Sequence, residues 1–132
     1  MRALAREVAF KRIFQSLFVS TTEEEGIDTF FEIDNLIEED DQKFSNELVS
    51  LYFDNKEEID NTISNLLVDY SLDRIFKIDR AIISLATAEM KYYKETPVAV
   101  VINEAVKMAK KFGTEKSYSF VNGILKSIST SL

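Results

Sequence analysis

The sequence predicts an all-α protein of six or seven helices. Apolar residues recur at the three- and four-residue spacing of an amphipathic helix along almost all of the 132 residues. No segment has a convincing strand pattern, and the chain contains neither an internal repeat nor a long linker. Because 132 residues can enclose one hydrophobic core but not two of ordinary size, we expect a single domain over residues 1–132.

The first three predicted helices lie in the N-terminal half of the sequence. They extend from about Ala3 to Val19, over residues 28–38 within an acidic stretch, and from about Asp41 to Asn55. The apolar face of the first helix follows the spacing i, i+3, i+4 and i+7 and consists of Phe10, Ile13, Phe14 and Leu17. Each of these helices is therefore expected to bury one face.

Two further helices are predicted on either side of a turn at residues 71–73. Asn55 is the expected N-cap of the first, with Glu58 in the capping-box position. The apolar residues of that helix are Ile59, Ile63, Leu66, Leu67 and Tyr70. The helix after the turn is predicted to end near Tyr93, and Glu89 is the residue that interrupts its apolar stripe.

Capping residues delimit the last two predicted helices. Thr96 and Pro97 fit the N-cap and N1 positions, and Gly113 fits the C′ position that ends a helix. The β-branched run at residues 98–102 would also suit a buried strand, but the proline before it and the glycine after it favour a helix. Thr114 is predicted to cap the final helix.

The composition excludes several classes of catalytic and metal site. The chain has no Cys, no His and only three Gly, which argues against thiol or imidazole catalysis, disulfides, Cys/His zinc sites and glycine-rich phosphate loops. Acidic runs at residues 23–25 and 38–41 could in principle bind a hard cation, but they lack EF-hand spacing and are expected to be solvated surface. We therefore predict no enzymatic activity, no metal and no cofactor.

The charge is distributed unevenly along the sequence. The net charge of -7 by itself argues against a nucleic-acid partner. However, residues 1–20 contain four basic and one acidic residue, residues 21–73 two and seventeen, and residues 74–132 ten and five. The two basic segments at opposite ends of the sequence could meet in space, and such asymmetry is a better indicator of partners than the total.

The sequence contains no apolar run long enough to span a membrane and no signal peptide pattern. We therefore expect a cytoplasmic protein without a membrane partner.

Arg2 and Arg6 lie on the same helical sector as Ala9, Ile13 and Leu17. The apolar stripe of the first helix thus becomes basic in its first two turns. We expect these turns to project beyond the core and to offer two guanidinium groups to an anion. Alternatively, both arginines lay their aliphatic stems against the protein and keep only their charges in water.

Asn122 and Gly123 interrupt an otherwise apolar helix between Phe120 and Ile124. A glycine within a helix costs about 1 kcal/mol relative to alanine, so a packing or functional reason is expected. Either another helix approaches closely at Gly123, or Asn122 presents its side chain to a ligand. Phe120 would stack on an unpaired base if exposed, and would be ordinary core if buried.

Ordered motifs near both ends of the chain have counterparts in one known family. The N-terminal motif is Ala5-Arg6-Glu7-Val8-Ala9. The C-terminal motifs are Asp79-Arg80-Ala81-Ile82-Ile83, Glu89-Met90, Thr96-Pro97, Val101-Ile102-Asn103-Glu104-Ala105-Val106, Ala109-Lys110-Lys111-Phe112-Gly113 and Phe120-Val121-Asn122-Gly123-Ile124-Leu125. Together they resemble the NusB family of bacterial transcription antitermination factors. The resemblance implies two small helical bundles packed across one another.

NusB-like proteins bind the boxA element of nascent ribosomal RNA transcripts together with NusE, a small-subunit ribosomal protein, and help RNA polymerase pass terminators. The resemblance implies two RNA-contacting regions, which contain Arg2, Arg6, Phe120 and Asn122. It implies NusE contacts at Phe14, Asp73 and Asp79. We expect the RNA phosphates to be neutralised by Arg2, Arg6, Lys110, Lys111 and Lys116. The implied partners are single-stranded boxA RNA, NusE, the elongation complex and, in a homodimer, a second copy.

Three departures from the family pattern refine these expectations. The N-terminal arginines are sparse, so weak RNA binding without NusE is expected. Lys116 stands where relatives often have Asp, and Phe14 replaces a tyrosine and so lacks its hydroxyl. The alternative function is a helical protein-binding adaptor that has lost specific RNA binding. A further alternative is the RNA-binding domain of a ribosomal RNA methyltransferase, although a standalone factor is expected.

Overall fold

The computed structural model describes residues 2–18 and 37–132, in which every regular element is helical. The six α-helices are α1 (Arg2–Ser16), α2 (Glu39–Asp54), α3 (Lys56–Ser64), α4 (Lys77–Ala88), α5 (Val98–Phe112) and α6 (Ser117–Ser129). A 3-10 turn (Leu72–Arg74) precedes α4, and a π-helical turn (Glu89–Tyr93) continues it. The predicted all-α fold is confirmed. The helix predicted at residues 28–38 lies outside the described residues, except for its last two positions, which precede α2.

Helix α4 occupies the centre of the packing, and its residues 81–88 are all buried. Helices α1 and α2 pack against each other and against α4, and α5 and α6 do the same. The fold is therefore the predicted pair of small bundles, which meet at α4. Helix α3 also contacts α4 and α6.

The boundaries of α3 differ from those predicted. Asn55 is the N-cap residue, but its side chain makes no cap hydrogen bond, so the predicted capping box is wrong. Its Nδ2 instead donates to the Leu51 carbonyl oxygen at 2.8 Å, which completes the end of α2. Helix α3 ends at Ser64 rather than near Tyr70. Asp69 then takes a left-handed backbone conformation, with φ of 70°, which no α-helix accommodates.

The start of α5 lies one residue later than predicted. Pro97, with ψ of 137°, is the N-cap residue and not the first helical residue. Its carbonyl oxygen accepts the N–H groups of Val100 at 3.0 Å and Val101 at 3.1 Å. Proline suits this position too, since an N-cap N–H takes no part in the helix.

Gly113 ends α5 as predicted, but for a different reason. Its φ of −94° is open to any residue, so no left-handed cap is present. A Cβ at this position would instead collide with Ser117 Oγ and lie 2.7 Å from the Ala109 carbonyl oxygen. Helix α6 begins at Ser117, three residues after the predicted cap at Thr114. Thr114 instead stabilises the turn that leads into α6, because its carbonyl oxygen accepts the Ser117 N–H at 3.1 Å.

Candidate nucleic-acid interface

Arg6 is buried in a bidentate ion pair with Glu89. Its Nε donates to Glu89 Oε1 at 2.8 Å and its Nη2 to Oε2 at 2.7 Å, and the two residues are only 6% and 1% exposed. Arg6 interrupts the apolar stripe of α1, and it thus faces Glu89, the first residue of the π-helical turn that continues α4. The expectation that the first two turns of α1 project beyond the core is therefore wrong, because Glu89 offers Arg6 a counter-charge inside the protein.

Arg2, in contrast, is exposed and supported by two aromatic rings. Its guanidinium carbon lies 3.9 Å from the centroid of the Phe44 ring, and its Nη1 donates to the Tyr93 hydroxyl at 3.1 Å. The Phe44 and Tyr93 rings pack edge to face at 5.2 Å. These contacts orient a cation at the rim of a cavity of about 470 Å³, which Pro97 and Val100 also line.

The lysines near the end of α5 differ in how far their charge is neutralised. Lys111 Nζ lies 2.7 Å from Glu7 Oε1 of α1, so this ion pair joins the two basic ends of the sequence. Lys110 Nζ lies 5.3 Å from the centroid of the Tyr118 ring of α6. Lys116, in the loop before α6, is exposed. The Glu7–Lys111 pair is thus the contact that joins the basic N-terminal segment to the basic C-terminal segment.

Phe120 and Asn122 point into different grooves. Phe120 is half-buried and lines a groove of about 690 Å³ together with Asp79 and Lys116. Asn122 lines a second groove, of about 410 Å³, between α5 and α6. Ser119 lines both grooves and separates them. A helix turns by about 200° over two residues, which explains why the two side chains diverge.

Gly123 has open space where a side chain would be. A Cβ added there would meet no atom within 4 Å, so close approach of another helix does not explain this glycine. Packing inside the protein therefore does not account for Gly123.

Phe14 and Asp79 both lie near the start of α4. Phe14 is half-buried and packs against Phe18, with the ring centroids 4.8 Å apart. Phe18 is 59% exposed, and its ring lies 5.6 Å from Lys77 Nζ in the first turn of α4. Asp79 is buried nearby, and burial raises its pKa although a hydrogen bond from Ser117 opposes that effect.

Asp73 is the most exposed of the three residues that are predicted to contact NusE. Its side chain is 92% exposed, and its Oδ1 lies 3.5 Å from Nη1 of Arg80. Arg80 also lies 3.8 Å from Asp60 of α3. The Asp73 carboxylate is therefore available to a basic partner at the cost of one weak surface ion pair.

The part of the chain described by the structure holds no cluster of three metal-ligating side chains. The acidic run at residues 38–41 leads into α2, while residues 23–25 lie outside the described ranges. None of the helices in residues 2–18 and 37–132 is long and apolar enough to cross a membrane.

Comparison with known proteins identifies the family. The sequence model of the NusB family matches residues 3–130. The chain belongs to the NusB family. A transcription antitermination protein NusB from Bacillus pumilus is 39% identical over 131 residues, which cover 99% of this chain and 96% of that relative. The NusB of Acetivibrio thermocellus is 41% identical over 124 residues, covering 94% and 85% of the two chains.

Solved NusB structures share the fold. NusB of T. maritima matches with a TM-score of 0.90 and 32% identity, covering 98% of this chain and 91% of that one. A chain from a crystal structure of antitermination factors NusB and NusE in complex with dsRNA matches with a TM-score of 0.91 and 28% identity, covering 99% and 97%. The resemblance inferred from the sequence motifs is confirmed.

Sequence reasoning missed several residues of this NusB-family surface. Phe44 and Tyr93 support Arg2, yet their spacing in the sequence is that of ordinary core residues. Tyr118 and Lys126 line the groove that contains Asn122, as does Asn103 of α5. A helical-wheel plot of α6 would have grouped Tyr118, Asn122 and Lys126 on one side, but their pairing with α5 required the fold.

Proposed function

We propose that this chain is a transcription antitermination factor that binds boxA RNA of nascent ribosomal RNA transcripts together with NusE. The observation that carries the proposal is the meeting of the two basic ends of the sequence. Arg2 shares a cavity with Val100 of α5, and Glu7 of α1 pairs with Lys111 of α5. Family membership and the fold match to a NusB–NusE complex with dsRNA support the same function.

The proposed mechanism is scaffolding without catalysis. Arg2, Lys110 and Lys116 would neutralise phosphates, and Lys111 would contribute less because Glu7 already pairs with it. Phe120 would stack on a base and Asn122 would hydrogen-bond to one. Arg6 would contribute mainly by holding α1 in place, since Glu89 already occupies two of its N–H donors.

NusE is the proposed protein partner, at a surface that includes Phe14, Asp73 and Asp79. Two of these residues are acidic, which suits a basic ribosomal protein. Asp79 lines the same groove as Lys116 and Phe120, so NusE and RNA would lie side by side there. This arrangement explains how NusE could strengthen RNA binding without any movement of the helices.

A filter-binding titration tests the proposal. We expect the isolated protein to bind boxA RNA weakly and to bind it more tightly when NusE is present. A scrambled RNA of the same length serves as the control for sequence specificity. Equal affinity for boxA RNA with and without NusE would contradict cooperative binding.

One observation favours the alternative of a protein-binding adaptor. Two of the five cations assigned to RNA, Arg6 and Lys111, are already paired with carboxylates. An adaptor would bind NusE and ignore the RNA sequence. Gel-shift assays with boxA RNA, scrambled RNA and added NusE separate the two functions.

The cellular setting is part of the same proposal. We propose that the protein acts in the cytoplasm on the transcription elongation complex, and that self-association into a homodimer would compete with RNA. Sedimentation with and without boxA RNA and NusE tests the last point. A dimer that persists in the RNA-bound state would contradict competition.

A further inference from the structure

We propose that the groove between α5 and α6 is a subsite for unpaired nucleotides, through which the RNA strand continues from Phe120 towards Arg2. This inference rests on the proposed RNA-binding function and adds to it a specific path and three residues: Asn103, Tyr118 and Lys126.

The chemistry of the groove suits a nucleobase. Its volume is about 410 Å³, and Ile102 and Val106 provide apolar surface for the face of a base. Asn103 and Asn122 provide two carboxamides, each with donors and an acceptor that can pair with a base edge. Within residues 2–18 and 37–132, neither carboxamide is engaged by another protein group. Both are therefore free to hydrogen-bond to a ligand.

The charge of the groove suits a phosphate backbone. Its lining contains Lys126 and no carboxylate, whereas the neighbouring groove contains Asp79 and Glu115. At the end of the groove away from Lys126, Lys110 Nζ lies 5.3 Å from the centroid of the Tyr118 ring, which is 46% exposed. An exposed ring beside a cation can stack on a base while the cation contacts the adjoining phosphate. Single-stranded RNA therefore fits better than an apolar peptide.

The position of the groove makes it a connection between the two RNA regions. At one end, Ser119 is shared with the groove that holds Phe120. At the other end, Ala99 lines the groove and its neighbour Val100 lines the cavity of Arg2. The groove of Asn122 therefore lies between the groove of Phe120 and the cavity of Arg2, on the route of a strand that contacts both.

Gly123 fits the same path. It lies on the side of α6 that also carries Ser119 and Lys126, four residues before it and three after it. Its missing side chain leaves the helix surface open there. The helix-propensity cost of this glycine, which packing inside the protein does not explain, is accounted for if RNA passes over it.

The test combines side-chain NMR with affinity measurements on the full chain in the presence of NusE. We expect the side-chain amide signals of Asn103 and Asn122 to shift when a single-stranded boxA oligonucleotide is added. Asn103→Ala and Tyr118→Ala should each weaken binding roughly 5- to 150-fold. Lys126→Glu should weaken binding and reduce the slope of log affinity against log salt by at least about 0.7.

Lys43→Glu is the matched control, because Lys43 is an exposed helical lysine on α2, away from the groove. It should leave RNA affinity within about twofold of the unchanged protein. Circular dichroism checks that each variant is folded, and NusE binding checks that the partner surface is intact.

The outcomes separate the two proposals. If the unchanged protein binds boxA RNA but the Asn103 and Tyr118 variants bind equally well and no amide signal moves, the subsite is refuted and the proposed function stands. If the unchanged protein does not bind boxA RNA even with NusE, the proposed function fails and the subsite fails with it.

Discussion

Glu89→Gln would leave the buried guanidinium of Arg6 without its counter-charge. The side chains of the two residues are 7% and 1% exposed, so water cannot replace the carboxylate. Removing one partner of such a buried pair costs about 3–5 kcal/mol. Because two short hydrogen bonds are affected, at 2.8 and 2.7 Å, we expect a value within that range.

Urea unfolding followed by circular dichroism measures this loss. With a denaturant slope of about 2 kcal/mol per molar for a domain of this size, the midpoint should fall by about 2 M. Glu39→Gln is the control, because Glu39 pairs with Lys43 at 3.9 Å on the surface and its loss should change stability little.

The double variant Arg6→Met, Glu89→Leu tests whether an unpaired buried charge causes the stability loss of Glu89→Gln. Replacing both members of a buried pair by apolar residues of similar volume is often neutral or stabilising, so most of the lost stability should return. A loss below about 1 kcal/mol in Glu89→Gln would refute the idea that the pair is buried in solution. A double variant no more stable than Glu89→Gln would show that packing, rather than an unpaired charge, caused the loss.

Arg2→Ala should weaken boxA binding and lower the slope of log affinity against log salt by about 0.7. The double variant Arg6→Met, Glu89→Leu removes the Arg6 charge and should leave that slope unchanged, because Glu89 already neutralises Arg6. An unchanged slope in Arg2→Ala, or a lowered slope in the double variant, would contradict this contrast. Gly113→Ala should lower the unfolding free energy by about 1–3 kcal/mol in urea titrations because its Cβ would collide with Ser117, whereas Gly123→Ala should raise it by about 0.4–1 kcal/mol. Burial raises the pKa of Asp79, so between its unfolded and folded pKa values the folded protein still holds a proton that the unfolded chain has lost. The free energy of unfolding therefore falls as pH rises through the interval between these two pKa values. Urea midpoints between about pH 4 and 7 should therefore fall less steeply with pH in Asp79→Asn than in the unchanged protein.

The helical elements were largely predictable because their signals are local. The spacing of Phe44 and Leu48 identifies α2, and Pro97 and Gly113 delimit α5 to within one residue. The early end of α3 was not predictable in this way. Residues 65–70 continue the apolar spacing, but Leu66 and Leu67 pack against the core without being helical.

The contacts of the site depend on residues that are distant in sequence. Arg6 and Glu89 are 83 positions apart, and each by itself is only a polar interruption of an apolar stripe. A search for opposite charges at such interruptions could have suggested the pair. Nothing comparable indicates that Arg2 would lie on Phe44, because an aromatic residue at helical spacing is indistinguishable from core. Packing between helices, rather than local propensity, decided both contacts.

The pairing of charges explains why the protein should need help to hold RNA. Glu89 and Glu7 already neutralise Arg6 and Lys111. Among the described residues, the cations assigned to RNA that have no carboxylate partner are Arg2, Lys110 and Lys116, and the proposed subsite adds Lys126.

Four phosphate contacts to a single strand correspond to a salt slope of about −3, which is modest for a nucleic-acid-binding protein. The overall charge of -7 adds a weak repulsion that is screened beyond about 8 Å at physiological salt. A basic partner bound at Asp73 and Asp79 would offset part of the acidic charge and extend the cationic surface from the Phe120 groove. Tighter RNA binding with NusE therefore requires no conformational change, only a second set of positive charges beside the first.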